Sequence, residues 1–185
     1  MVSRKYIRDY RLESDLDGRG RWRTRAVYIG GNYGYVNPGL ANRIAKRWMA
    51  LYHVLCWTFF ISALLPDSRA LHTVYCAVPF VICGFPLMWQ SFSVYVLIIA
   101  QEPFRRDQAE KISQRIPASA LLAFIFSGLA CAGFIVGVFY SEGSLYFGDA
   151  VFVSAAGAIA ALSAILLRCS RRFVTCRLDD GQRPG

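Results

Sequence analysis

Apolar residues in this chain gather into four long runs separated by polar segments, and the runs are nearly free of charge. The longest, Ala70 to Ala100, holds thirty-one residues with no Lys, Arg, Asp or Glu. As a helix it would extend roughly 46 Å at 1.5 Å per residue, against about 30 Å for the hydrocarbon core of a bilayer. The surplus length must go into tilt, bending or a protruding end. Pro79 and Pro86 lie inside the run, on nearly one helical face, and each removes a backbone hydrogen bond. A bent membrane helix over 70–100 is therefore predicted. The other runs predict spans over about 48–65, 118–140 and 149–167. Together they define an all-α membrane protein: four transmembrane helices in two hairpins within 48–167.

The polar segments carry different patterns. Residues 1–37 read as a small cytoplasmic β-meander. Lys5 to Leu12 alternates, an Asp17-Gly18 turn follows, and Arg21 to Ile29 alternates again with Trp22, Ala26 and Tyr28 on one face. After Gly30-Gly31-Asn32, Tyr33 to Val36 is expected to add a third strand. Residues 38–47 start a juxtamembrane helix: Leu40, Ile44, Trp48 and Leu51 recur at helical spacing, with Arg43, Lys46 and Arg47 between them. In the connector Gln101 to Pro117, Pro103 suits a helix start, and Phe104, Ile112 and Ile116 form a greasy stripe expected to lie on the membrane surface. Residues 168–185 form a basic cytoplasmic tail whose last residues, DDGQRPG, are expected to be disordered.

Charge adds orientation. The chain has 185 residues, 55% hydrophobic and 18% charged, with a formal net charge of +9. Of its 21 Lys and Arg residues, all but Arg69 lie before the first span, in the connector or in the tail. The positive-inside rule then puts both termini and the connector in the cytoplasm. The basic residues flank apolar runs as topology requires, so no nucleic-acid partner is expected. No cleavable signal-peptide pattern precedes the first run, which is expected to serve as its own insertion signal. A bacterial inner membrane is the expected location, with an intracellular eukaryotic membrane as the alternative.

Few residues suggest chemistry. Gly133 and Gly137 form a G-x-x-x-G in the third span, and the fourth is rich in small residues that include Gly157 and Ala161. Such residues let helix backbones approach closely, so tight packing is expected between spans three and four or between two copies. His53 and His72 are the only histidines, and the helix rise separates them by roughly 15 Å in depth. That separation excludes a shared metal, and an interhelical hydrogen bond is the expected role of His53. Gln90, beside Trp89 and one turn after Pro86, is the most polar side chain deep in a span, suited to a hydrogen bond or to a cavity wall. Pro79, Pro86, Gln90 and His53 thus mark a possible kink and cavity. Asp149 and Glu142 are expected at the outer edge, in reach of water. Cys56, Cys76, Cys83 and Cys131 fall inside spans and no C-x-x-C occurs, so small buried hydrophobes are their expected role.

No acidic or basic residue lies centrally in any span, and His53 is about one and a half turns from the cytoplasmic end of the first, so a proton-driven pump is not expected. No Ser-His-Asp arrangement, Walker loop or zinc spacing appears. The sequence thus points to a non-enzymatic multi-pass membrane protein without a cofactor, an accessory or scaffold subunit, with the bilayer and a protein partner or second copy as its company. A small oligomeric transporter or channel is the alternative. A membrane-embedded thiol oxidoreductase, through Cys76, is the third reading.

Overall fold

The computed structural model describes residues 9–16, 22–37, 39, 41, 43–140 and 146–178. Among these residues four short strands, β1 (Tyr10–Leu16), β2 (Trp22–Tyr28), β3 (Tyr33–Tyr35) and β4 (Thr175–Arg177), accompany six α-helices. The helices are α1 (Arg43–Leu64), α2 (Arg69–His72), α3 (Val74–Ile99), α4 (Arg106–Glu110), α5 (Ile116–Tyr140) and α6 (Phe147–Ser170). A π-helical turn, Lys111–Arg115, joins α4 to α5 without a break. The expected Asp17-Gly18 turn, most of the loop containing Glu142, and the DDGQRPG end lie outside the described residues.

Three helical stretches are long and apolar enough to cross a membrane: Val74–Ile99, Arg106–Val138 and Phe147–Phe173. They are compatible with an integral membrane location. The first apolar run folds into α1, but Arg43, Lys46, Arg47 and His53 dilute its apolar content and it is not among the three. The second run is divided: Thr73 has an extended backbone that separates α2 from α3.

The long helices pack α3 on α5, α5 on α6 and α6 on α1, with a thinner contact between α1 and α3. Aromatic rings fill the centre. Phe80 stacks on Phe60 at 4.9 Å between centroids and meets Phe152 at 4.9 Å. Phe80, Leu87, Leu97, Phe152, Ile159 and Leu166 are fully buried, whereas Phe85, Met88, Trp89 and Phe92 stand exposed on α3. An outward apolar face is what a lipid-facing helix presents, because lipid imposes no cost on it.

Two expectations about the polar segments are corrected. β1 and β2 form an antiparallel ribbon, but β3 pairs with β4 of the C-terminal segment, not with β2, so there is no three-stranded meander among the described residues. The reason is packing. Tyr35, at the end of β3, sits edge-on to Phe104 at 4.7 Å and to Phe173 at 5.9 Å, and all three rings are buried. Backbone bonds complete the joint: Tyr33 and Phe104 exchange N–H···O bonds of 3.0 and 2.7 Å, and Val36 donates to Val174 at 2.9 Å. The connector is likewise not a separate surface helix. Phe104, Ile112 and Ile116 are fully buried within the protein, because the stripe is the seam on which this joint and α3 close.

Candidate functional site

Mid-way along α1 and α3, a cluster of polar side chains lies inside the bundle. His53 is on α1, with Trp57 one turn on; Gln90 and Ser91 are adjacent on α3. The Ser91 hydroxyl is the hub. It donates to the Leu87 carbonyl at 3.1 Å, accepts from Trp57 Nε1 at 3.1 Å, and lies 2.8 Å from His53 Nε2. A hydroxyl has one proton. With that proton on Leu87, the oxygen accepts from both rings, which puts the imidazole proton on Nε2 and leaves Nδ1 as a bare acceptor. The i, i+4 spacing of His53 and Trp57 lets one helix present both donors to one oxygen.

Beside this hub His53 Nδ1 and both atoms of the Gln90 carboxamide have no partner of ordinary hydrogen-bond geometry, and neither has the buried Ser163 Oγ of α6, which lies next to Cys56. Gln90 has no exposed surface, and its carboxamide faces the His53 ring. Each such orphan costs about 1–3 kcal/mol of desolvation. The set offers donors and acceptors without formal charge. It can hold a water or a small neutral polar solute. Next to it the fully buried thiols of Cys56 and Cys83 lie near one another, with Cys56 beside Ser163. Among the described residues no group of three or more His, Cys, Asp or Glu is placed to hold a metal ion. His72 is elsewhere, 3.0 Å from Asp67 on the exposed loop. The six cysteines are free, and Cys76 is buried.

The expected spans three and four pack closely as α5 on α6, with Ala155 and Ala156 buried, but the four small residues singled out do not make that contact. Gly133 and Gly137 face α3, not α6: a β-carbon on Gly133 would stand 2.7 Å from the Tyr75 carbonyl oxygen, and one on Gly137 would stand 3.1 Å from the Tyr75 hydroxyl. Gly157 and Ala161 are exposed, and nothing lies within 4 Å of a β-carbon built on Gly157. Pro86 is buried, and Pro79 is half-buried in the same continuous helix.

Asp149 is not in reach of water. It is 4% exposed and caps the α1–α3 turn: Ser68 Oγ donates to Oδ1 at 2.9 Å, and Ala70 N–H at 3.3 Å. Gly148 makes this possible, because a β-carbon there would fall 2.1 Å from the Asp67 carbonyl oxygen. Arg69 lies over the Tyr146 ring at 3.9 Å and closes the same junction from outside.

At the opposite end, Lys46 donates to the Ala100 carbonyl at 3.2 Å and lies 5.4 Å above the Tyr35 ring. Burial pushes the Tyr35 hydroxyl above its ordinary range, and the nearby Glu102 adds to that. Burial lowers the Lys46 ammonium, against the opposing pull of Glu102.

Trp57 and Ser163 of the central cluster, and the Ser68–Asp149 junction, escaped the sequence reading. Trp57 could have been found from its spacing of four from His53. The other two are long-range pairings with no local signature. No family model matches the chain, and no curated protein or solved structure matches it significantly.

Proposed function

We propose that the protein is a non-enzymatic membrane adaptor that presents the β1–β2 ribbon to a protein partner of the same membrane. One observation carries this reading: among the described residues nothing covers the ribbon face that holds Leu12 and Trp22, with the hydrogen-bonded Ser14–Thr24 pair between them. Strand register puts Leu12, Ala26 and Trp22 on one side, and Leu12 and Trp22 are 73% and 72% exposed. A two-stranded ribbon is marginal in water by itself. Its root is clamped to the connector: Arg106 lies 3.7 Å from Asp9, and the Arg106 N–H donates to the Tyr28 hydroxyl at 3.0 Å. The base is anchored and that face is left open, as a docking element requires.

In this reading α1 is a fourth span. Beyond its basic first turn, Trp48 to Leu64 is 17 residues and reaches about 26 Å, at the short end of what crosses a hydrocarbon core of about 30 Å. The basic residues concentrated on the ribbon side support cytoplasmic termini and, with short loops, a bacterial inner membrane. The test is gentle detergent extraction through an affinity tag, followed by native mass spectrometry. A second polypeptide in fixed ratio is expected, lost with Leu12→Glu/Trp22→Glu while the thermal midpoint of the protein is kept. A lone monomer from the unmodified chain defeats the adaptor reading.

The unpartnered Gln90, His53 and Ser163 atoms favour a second reading, an oligomeric transporter of a small neutral polar solute. Four helices by themselves enclose little space, so that reading needs a homo-oligomer.

A further inference from the structure

We propose that the groove between the start of α1 and the end of α3 binds one anionic phospholipid, with its phosphate on Arg43 and Arg47. The groove has a volume of about 580 Å³ and opens between α1 and α3, the thinnest of the contacts among the long helices. Its rim and its floor differ in chemistry. At the rim stand Arg43 and Arg47, one turn apart on one helix face and both exposed. Neither forms an ion pair among the described residues. The floor is made by Ala50, Ile98 and Ile99, with the two isoleucines more than half exposed.

The other charged groups of the groove are already committed. Lys46 is bonded to the Ala100 carbonyl and has Glu102 beside it, and Glu102 also accepts from the Tyr35 N–H at 3.4 Å. Lys46 and Glu102 offset one another, which leaves the two arginines as the uncompensated charge. A guanidinium matches phosphate oxygens through paired donors better than an ammonium does. Depth also fits. Ala50 lies about 10 Å along the helix from Arg43, and Trp48, stacked on Tyr52 at 5.8 Å, stands between them where interfacial aromatics mark the headgroup level. A phosphate at the arginines therefore places its glycerol and first acyl carbons over the isoleucine floor. Basic residues that only set topology would need neither a concave rim nor an apolar floor beneath it. The inference rests on the membrane placement of α1 and α3 and is independent of what the ribbon binds.

The test is native mass spectrometry of the full chain in detergent, titrated with dioleoyl phosphatidylglycerol, with dioleoyl phosphatidylcholine, and with inorganic phosphate. Phosphatidylglycerol adducts are expected to exceed phosphatidylcholine adducts on the order of tenfold, as two basic side chains at a membrane surface would give. Arg43→Gln/Arg47→Gln abolishes the preference. Ala50→Trp fills the floor and lowers adducts of both lipids while keeping every charge, so it decides the matter should the double variant misfold. Equal binding of the two lipids, or a preference that survives the double variant, overturns the proposal. So does displacement of phosphatidylglycerol by millimolar inorganic phosphate, because the site would then be one for free phosphate.

Discussion

The carbonyl of Tyr75 rests on Gly133. In a regular helix that oxygen would accept from the N–H four residues on, but residue 79 is proline and has none to give. The freed carbonyl turns to α5, where only a glycine leaves room for it: a β-carbon at 133 would stand 2.7 Å away. The proline of one span and the glycine of another are thus two halves of one contact.

Substitution at Gly133 should reveal this. Gly133→Ala is expected to destabilise the protein by about 1–3 kcal/mol, the usual cost of overpacking. Gly157→Ala, in open space, is expected to be neutral or to stabilise by up to about 1 kcal/mol through helix propensity. Thermal unfolding of both variants in one detergent checks the pair. Equal losses at the two positions would show that Gly157 is covered, as in a dimer.

The central cluster gives a contrast of sign. Ser91→Ala strands the N–H groups of Trp57 and His53 and is expected to cost about 1–3 kcal/mol. Gln90→Leu removes two orphaned atoms at similar volume and is expected to raise the unfolding midpoint. A fall in the midpoint for Gln90→Leu would mean that the carboxamide holds a water or solute, and would shift weight to the transport reading.

Alkaline pH should loosen the joint around Tyr35. The folded pKa of its hydroxyl lies above the unfolded value of 10.0. The stability tied to that proton is therefore complete below about pH 10 and lost as pH rises toward the folded value. Lys46, whose folded pKa is lowered, acts in the opposite sense and offsets part of the loss. Midpoints measured from about pH 9 to about pH 11, the range in which tyrosine and lysine titrate, are expected to fall less steeply for Tyr35→Phe than for the unmodified protein.

The helical runs were legible in the sequence because a membrane span needs only local information: enough consecutive apolar residues to match a fixed thickness. Charge asymmetry was legible for the same reason, and so was the interhelical hydrogen bond of His53. The strand ribbon was legible in part: alternation over 21–29 matches β2, but it put the first strand at 5–12, whereas β1 runs on through Ser14, Asp15 and Leu16, which had read as turn. The partner of β3 did not, because strand pairing depends on which aromatic rings Tyr35 can reach, and Phe104 and Phe173 are remote in the chain. The connector stripe was recognised as apolar, but the surface it meets could not be read from periodicity, which marks a face without saying whether lipid or protein covers it.

Composition and order of residues by themselves determined that this chain has long apolar helices and keeps its Lys and Arg residues in the segments between and beside them. Only the tertiary structure decided which small residues are packed, that Asp149 is buried as a cap, and that His53, Trp57 and Ser91 share one oxygen. The physical reason is range. Hydrophobic length, helical period and charge count are sums over neighbours along the chain, whereas a packed glycine or a shared hydrogen bond depends on the other helix that happens to lie against it.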